Sequence, residues 1–401
     1  MNHVTSAVLE RAKAYEGKMV QFLRDLIRIP SPSGKEGPAM RRIAQEMQEL
    51  GLPDVSIDEI GCVVGRLGSG DLRVLYDSHI DTVGVGDPDA WAHDPYEGKL
   101  EGGVIYGLGA SDNKAAIVSM VYGARIMMDL DLGRGATLYV AGVPQEEDSD
   151  GWAVGEMISR GFVTPDCVVL GECTNLGINR GHRGRCEVLV TARGVSCHAS
   201  APERGDNAIY KMVPVIQALE ALSARTLDDP FLGRGTLAVT RIESHSGSLN
   251  VVPDKCQVYI DRRMTLGETA ADVMEAVQAA AGPDVLVSLL RYAESSWTGY
   301  RADMVKDYPT WALPEDHPLV KAGVEAAQAV LGATPPVGKW EFSTDGVSTM
   351  GKHGIPTIGF GPGEEKYAHT VQDQVPVDHL VRAASFYAVF PGVAARMISR
   401  Q

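Results

Sequence analysis

The chain has no run of about 18 apolar residues, the length a helix needs to cross a bilayer. Its first residues, Met1 to Ser6, are polar and lack the basic-then-apolar layout of a secretory signal. None of its six cysteines (Cys62, Cys167, Cys173, Cys186, Cys197 and Cys256) falls in a CxxC pair. Free thiols in a reducing cytoplasm are therefore expected. Basic clusters are missing as well: 37 Lys and Arg stand against 52 Asp and Glu, for a net charge of −15. Such a chain repels nucleic acid and anionic membranes, so neither is expected as a partner. Internal repeats and low-complexity stretches are also lacking.

What is present is a long globular chain. Its 401 residues exceed the reach of a single core, so two domains are expected. Helical spacing covers 7–28 and 38–50, with Pro30 and Gly51 as stops. Strand-like runs lie near 54–59, 62–67, 73–77, 136–143 and 166–171, with helices at 113–129 and 151–160. This alternation predicts a mainly parallel sheet covered on both faces. The middle of the chain reads differently. Strands at 185–193, 235–243, 255–262 and 284–291 alternate with helices at 207–223 and 268–281 in the order β-α-β-β-α-β of ferredoxin-like folds. The first pattern resumes with helices at 317–331 and 376–398 and a strand at 355–360. The expected layout is an α/β domain of residues 1–181 and 294–401, interrupted by an α+β insert at 182–293.

Five places set a metal-type ligand at or after a strand end, the edge where open α/β sheets bind ligands. His79 and Asp81 follow the apolar run Val74-Leu75-Tyr76, two apart, as a ligand and a carboxylate that orients it would be. Asp112 ends a glycine-rich turn before a helix, where it reads equally well as an N-cap. Glu146 and Glu147 follow Thr137–Val140. Two adjacent acids after an apolar strand can divide the labour, one holding a metal and one taking a proton. Glu172 follows Val168–Leu170, and His369 follows Ile358–Gly363. Each alone is more often structural than catalytic; their joint recurrence on successive strand ends favours function.

The motif set resembles the M20 metallopeptidase and amidohydrolase family over about residues 15–395. The matching stretches are SHIDTV at 78–83, GLGASDNKAA at 107–116, QEED at 145–148, GECT at 171–174, GVSCHASAPERGDNAI at 194–209, SLNVVPD at 248–254, DRR at 261–263 and AHT at 368–370. GVSCHASAPERGDNAI, FSTDGVSTMGKHGIP and IGFGPG are similar to a branch described as selenium-metabolism-linked hydrolases, a name that reflects genetic association. The resemblance implies a zinc-peptidase-like catalytic domain, a ferredoxin-like dimerisation insert and a homodimer. It implies that Asp112 bridges two ions, with His79 and Glu172 completing one site and Glu147 and His369 the other. Glu146 would be the general base, and Asp81 the support of His79. His198 would reach into the partner subunit's site, and Asn250 and Arg263 would bind the substrate carbonyl or carboxylate. A cis bond between Asp112 and Asn113 is implied too. Cys173, where many members have proline, and Lys114-Ala115-Ala116, where Lys-Gly-Gly is commoner, depart from the family pattern without removing a ligand.

Two divalent ions are thus expected, zinc by preference, with cobalt or manganese compatible with the same donors. The expected reaction is hydrolysis of an amide bond in a small peptide or N-acyl amino acid by an activated water. A catalytically silent metal-binding protein is the first competing class, and Glu146 argues against it, since a binding site needs no free base. A two-metal phosphoesterase is the second; the lack of an evident Arg or Lys cluster beside the ligand motifs argues against that one.

Overall fold

The structure, a computed structural model, describes residues 2–398; residue 1 and residues 399–401, at the outer ends of the two flanking segments, lie outside the described residues. The larger of its sheets has nine strands. Its centre is parallel, in the order Ala136–Val143, Leu72–His79, Cys167–Leu170 and Thr357–Gly359. Its margins are antiparallel: Val63–Gly68 and Asp54–Ile57 on one side, Ile178–His182 and Trp311–Ala312 on the other. The central strands feed two cores because alternate side chains face opposite ways. Val74, Tyr76, Leu138, Val140 and Val169 pack with the helices Asn2–Ile27, Ala115–Asp129, Pro318–Leu331 and Val377–Ile398. Leu75, Ala141, Val143, Val168 and Leu170 pack with the helix Trp152–Ser159 and with Trp311 and Trp340.

Three strands of this sheet were not expected: Ile178–His182, Trp311–Ala312 and Val337–Trp340. They are short, two of them contain glycine, and none alternates in polarity, so their pairing is decided by neighbours rather than by their own residues. The expected helix at 113–129 begins two residues later, at Ala115, because Asp112 and Asn113 hold non-helical backbone angles.

The middle of the chain forms a second, antiparallel sheet in the order Thr236–His245, Lys255–Met264, Gly184–Arg193 and Val285–Leu289. Helices Ala208–Ser223 and Ala270–Ala281 cover one face. The element order is the expected β-α-β-β-α-β, with one added hairpin of Asp228–Asp229 and Gly233–Arg234. The alternation in Lys255–Met264 is complete: Cys256, Val258, Ile260, Arg262 and Met264 are buried, and the residues between them are half-exposed. Asn207 caps its helix, its side chain accepting from the Ile209 amide at 2.9 Å.

Candidate metal centre

The carboxyl ends of the parallel strands bring the five expected ligands together. His79 is the last residue of its strand, Glu172 follows the neighbouring strand by two residues, and Glu147 lies in the loop after Ala136–Val143. Asp112 sits in the turn before the helix Ala115–Asp129, and His369 comes from the loop after Thr357–Gly359. His79 Nε2 is 2.9 Å from Asp112 Oδ1 and 3.4 Å from Glu172 Oε1. His369 Nε2 is 2.9 Å from Glu147 Oε2 and 3.4 Å from Asp112 Oδ2. Asp112 therefore gives one oxygen to each of two groups, His79–Asp112–Glu172 and Asp112–Glu147–His369, whose donor atoms lie within 4.8 Å of one another. The Asp112–Asn113 peptide bond is cis.

These donors fit divalent cations. His79 Nδ1 lies 3.0 Å from the Asp81 carbonyl oxygen and donates to it, which leaves Nε2 as the lone-pair nitrogen. A lone-pair nitrogen facing a carboxylate oxygen at 2.9 Å must share a cation or a proton with it. The second oxygens of Glu147 and Glu172 are buried without a protein partner. The hydrogen bond to Glu147, together with the nearby Glu147 and Asp112 charges, raises His369 to about 9 against the cost of burial. Burial works against a charged His79, but Glu172, Asp112 and Asp81 outweigh it and push the imidazole well up. The site thus draws positive charge to two places. Imidazole and carboxylate donors suit zinc, cobalt and manganese alike.

Asp81 corrects a detail of the sequence reading. It lies beneath the site, but its carboxylate is not chiefly the partner of His79, from which it stands 3.6 Å away. Instead Oδ1 accepts from the Glu146 amide at 3.1 Å, and Oδ2 accepts from the Glu147 amide at 3.1 Å and the Ser33 hydroxyl at 2.7 Å. The carboxylate holds the acidic loop; the carbonyl of the same residue orients the imidazole. Glu146 is buried beside the two groups and belongs to neither. Burial pushes its carboxyl well up; His79 opposes this, while Asp150, Glu172 and Asp345 add to it.

A scan of the sequence matches the description Peptidase family M20/M25/M40 over residues 75–391. The chain belongs to that family. Among its relatives, the Escherichia coli protein YgeY is 46% identical over 387 residues, covering 96% of each chain. A succinyl-diaminopimelate desuccinylase of Acidiphilium cryptum is 27% identical over 382 residues, covering 93% of this chain and 97% of that one. In fold, an M20 metallo-carboxypeptidase from Sulfolobus solfataricus superposes with a TM-score of 0.75 at 16% identity, covering 94% of this chain and 99% of that one. The protein is a metal-dependent hydrolase of the M20 peptidase and amidohydrolase group.

The M20 centre opens into a cavity of about 300 Å3. Its far wall comes from the second sheet, through Arg185 and Arg263, which pair in register on adjacent strands. No Arg or Lys cluster stands beside the ligand motifs in sequence, yet the fold brings Arg185, which was not among the expected site residues, together with Arg263 at this wall. Both guanidiniums are already paired, Arg185 with Asp150 at 2.7 Å and Arg263 with Asp261 at 2.8 Å, so neither is a bare phosphate-binding charge. Nothing in sequence marks Arg185, since the register of two distant strands is what turns it to the cavity. His198 and Asn250 do not line this cavity. They lie together and exposed, the Ala199 amide donating to the Asn250 carbonyl at 2.8 Å. Their loops flank the Arg193–Lys255 end of the sheet, whereas Arg263 sits at the other end, eight strand residues or roughly 26 Å away. His198 does not serve the helix after Asn207; its Nδ1 instead faces the Ser200 hydroxyl at 2.7 Å.

Among the described residues, no helix is long and apolar enough to cross a membrane, and all six cysteines are free.

Proposed function

We propose that this chain cleaves the amide bond of a small peptide or an N-acyl amino acid, using two divalent ions and Glu146 as general base. The observation that carries the reading is Asp112: its two oxygens face two separate groups, each completed by one histidine and one glutamate, with an uncommitted buried glutamate alongside. His79, Asp112 and Glu172 would hold one ion and Asp112, Glu147 and His369 the other, zinc by preference, and such ions would supply Lewis acidity to a water and to the amide carbonyl. Glu146 takes a proton from that water and returns it to the nitrogen of the leaving amine. Asp81 keeps Glu146 and Glu147 in place, and Arg263 holds a substrate carboxylate at the cavity wall. A second reading, a deacylase devoted to one N-acyl amino acid, rests on the relation to the desuccinylase of Acidiphilium cryptum.

The same proposal divides the chain into a catalytic domain of residues 1–181 and 294–401 and a dimerisation insert of 182–293, working in the cytoplasm as a homodimer. Tyr210 and Val213 on the helix Ala208–Ser223 and Ile242 on the strand Thr236–His245 are exposed, and that strand is hydrogen-bonded along one edge alone among the described residues. Both features favour a covering partner. The span of about 26 Å between Arg263 and the loops of His198 and Asn250 supports action of those two residues in the partner's site.

The test is a panel of N-acetyl, N-succinyl and N-carbamoyl amino acids alongside dipeptides, assayed on zinc-, cobalt- and manganese-loaded protein. Turnover of an amide that vanishes in Glu146→Gln at unchanged metal content supports the reading; a mutant as active as the native chain removes Glu146 from it. Mixing inactive His198→Ala with inactive Glu146→Gln chains tests the shared site. Heterodimers that form without regaining activity rule it out.

A further inference from the structure

Residues 290–306, on the return path from the second sheet to the first, form an arm that belongs to neither. Its root is tied to the second sheet: the Leu290 amide donates to the Glu187 carbonyl at 2.9 Å, and the Lys306 amide to the Leu290 carbonyl at 2.8 Å. From there the hairpin of Arg291–Tyr292 and Met304–Val305 runs out over the larger sheet's unit. Trp297 Nε1 donates to the Gly61 carbonyl at 3.1 Å, and Thr298 Oγ1 to the Glu59 carbonyl at 2.6 Å. Tyr300 accepts from Arg160 at 3.0 Å.

Between root and tip the arm grips the loop that carries Glu146. Gln145 is 1% exposed, and its Nε2 donates to the Tyr292 hydroxyl at 2.8 Å and the Ser295 carbonyl at 3.3 Å. Its amide donates to Glu36 Oε1 at 3.1 Å. Its φ is +60°, in the left-handed region that a residue other than glycine keeps only where its surroundings impose it. The backbone angle at residue 145 sets the direction in which Glu146 and Glu147 leave the strand. Asp81 fixes the two amides that follow; the arm fixes the residue before them.

We infer that Gln145 and Tyr292 are positioning residues, through which the arm sets the orientation of the Glu146 carboxylate. No role in the reaction attaches to either from the ligand set or the cavity. The inference rests on Glu146 as the general base. If the contact were packing alone, breaking it would cost stability and leave turnover of the folded, metal-loaded enzyme untouched.

The test compares steady-state constants and metal content for Tyr292→Phe, Gln145→Ala, the double variant, Tyr300→Phe and Glu146→Gln, using the panel substrate turned over fastest. Tyr292→Phe keeps the ring and its place beside Trp152, so it tests the hydroxyl without risk to the fold. Tyr292→Phe and Gln145→Ala are expected to lower kcat roughly ten- to a hundred-fold, the range of a misplacement near 1 Å, with KM and metal content unchanged. The double variant is expected to be no worse than Gln145→Ala, because Gln145→Ala already removes the contact that Tyr292→Phe breaks. Tyr300→Phe, at the outer end of the arm, is expected to keep native kcat. Native kcat in fully loaded Tyr292→Phe overturns the inference, and so does an equal loss in Tyr300→Phe. Native activity in Glu146→Gln would instead overturn the base assignment, and that variant alone separates the two failures.

Discussion

Replacing Asp81 with asparagine changes one atom, yet it is expected to be costly because both carboxylate oxygens accept. Oδ1 takes the Glu146 amide; Oδ2 takes the Glu147 amide and the Ser33 hydroxyl. An asparagine oriented to keep the two bonds at Oδ2 turns its NH2 toward the Glu146 amide, setting donor against donor. The residue is fully buried, so water cannot make good the loss. One lost bond to a charged acceptor costs about 1.5–3 kcal/mol. Asp81→Ala loses three such bonds, or about 4–5 kcal/mol at the lower value each. With an unfolding entropy near 2.1 cal/mol/K per residue over roughly 300 residues of the larger unit, these become melting shifts of about 2–5 °C and 6–8 °C. Because two of the bonds hold the amides of Glu146 and Glu147, turnover should fall before the protein unfolds. Differential scanning calorimetry, with metal analysis and rates at 25 °C, measures both. If Asp81→Asn melts and turns over like the native protein, the carboxylate does not brace the loop.

Asp112→Ala is expected to lose both ions, and His369→Ala only the one it completes; metal analysis after gel filtration distinguishes two, one and none. Gly61→Ala places a Cβ 2.2 Å from Trp297 Nε1 at a φ of +106°, so a loss of about 2–4 kcal/mol from overpacking and backbone strain is expected by chemical denaturation. His182 is buried, its Nδ1 donating to the Arg183 carbonyl and its Nε2 accepting from Trp311 at 2.7 Å, and burial lowers it from 6.5 to about 4. Its folded pKa is depressed, so its contribution is whole above pH 6.5 and is lost as pH falls toward 4. The native protein should therefore lose about 3 kcal/mol more than His182→Gln between pH 7 and 4; parallel pH-melting curves for the two would refute this.

Four of the ligands were legible because they follow strands whose apolar runs are unmistakable, and in a parallel sheet such ends share one edge, whereas Asp112 stood out by its glycine-rich turn before a helix. The same logic could not find Arg185. It sits in an alternating strand like any other surface arginine, and it meets the cavity only because Gly184–Arg193 pairs with Lys255–Met264 in the register that sets Arg185 against Arg263. Asp81 shows a subtler limit. Two-residue spacing suggested a carboxylate on the face of His79, but the chain leaves the strand at His79, so the carbonyl of Asp81 takes the imidazole and its carboxylate turns to the next loop. The strands Ile178–His182 and Val337–Trp340 were illegible for a third reason: they are short, each mixes apolar residues with glycine and polar ones without alternation, and the neighbouring edge decides their pairing.

The charges of the centre explain why such a site tolerates burial. Asp112, Glu146 and Glu172 are each less than a tenth exposed, and Glu147 joins them with its second oxygen unpartnered. Four carboxylates gathered this closely repel one another in a medium that screens poorly, and two imidazolium groups offset only half of their charge. Two divalent cations, bound by both histidines as neutral imidazoles, would offset all four carboxylates, which makes ion binding part of the stability of this edge and not merely of its chemistry. Asp81 is placed to hold the arrangement whichever cations fill it. Its contacts are to backbone amides and a hydroxyl, whose hydrogen bonds do not depend on the protonation of the ligands. The loop that presents Glu146 is thus braced from below by one buried carboxylate while its neighbours compete for positive charge above it.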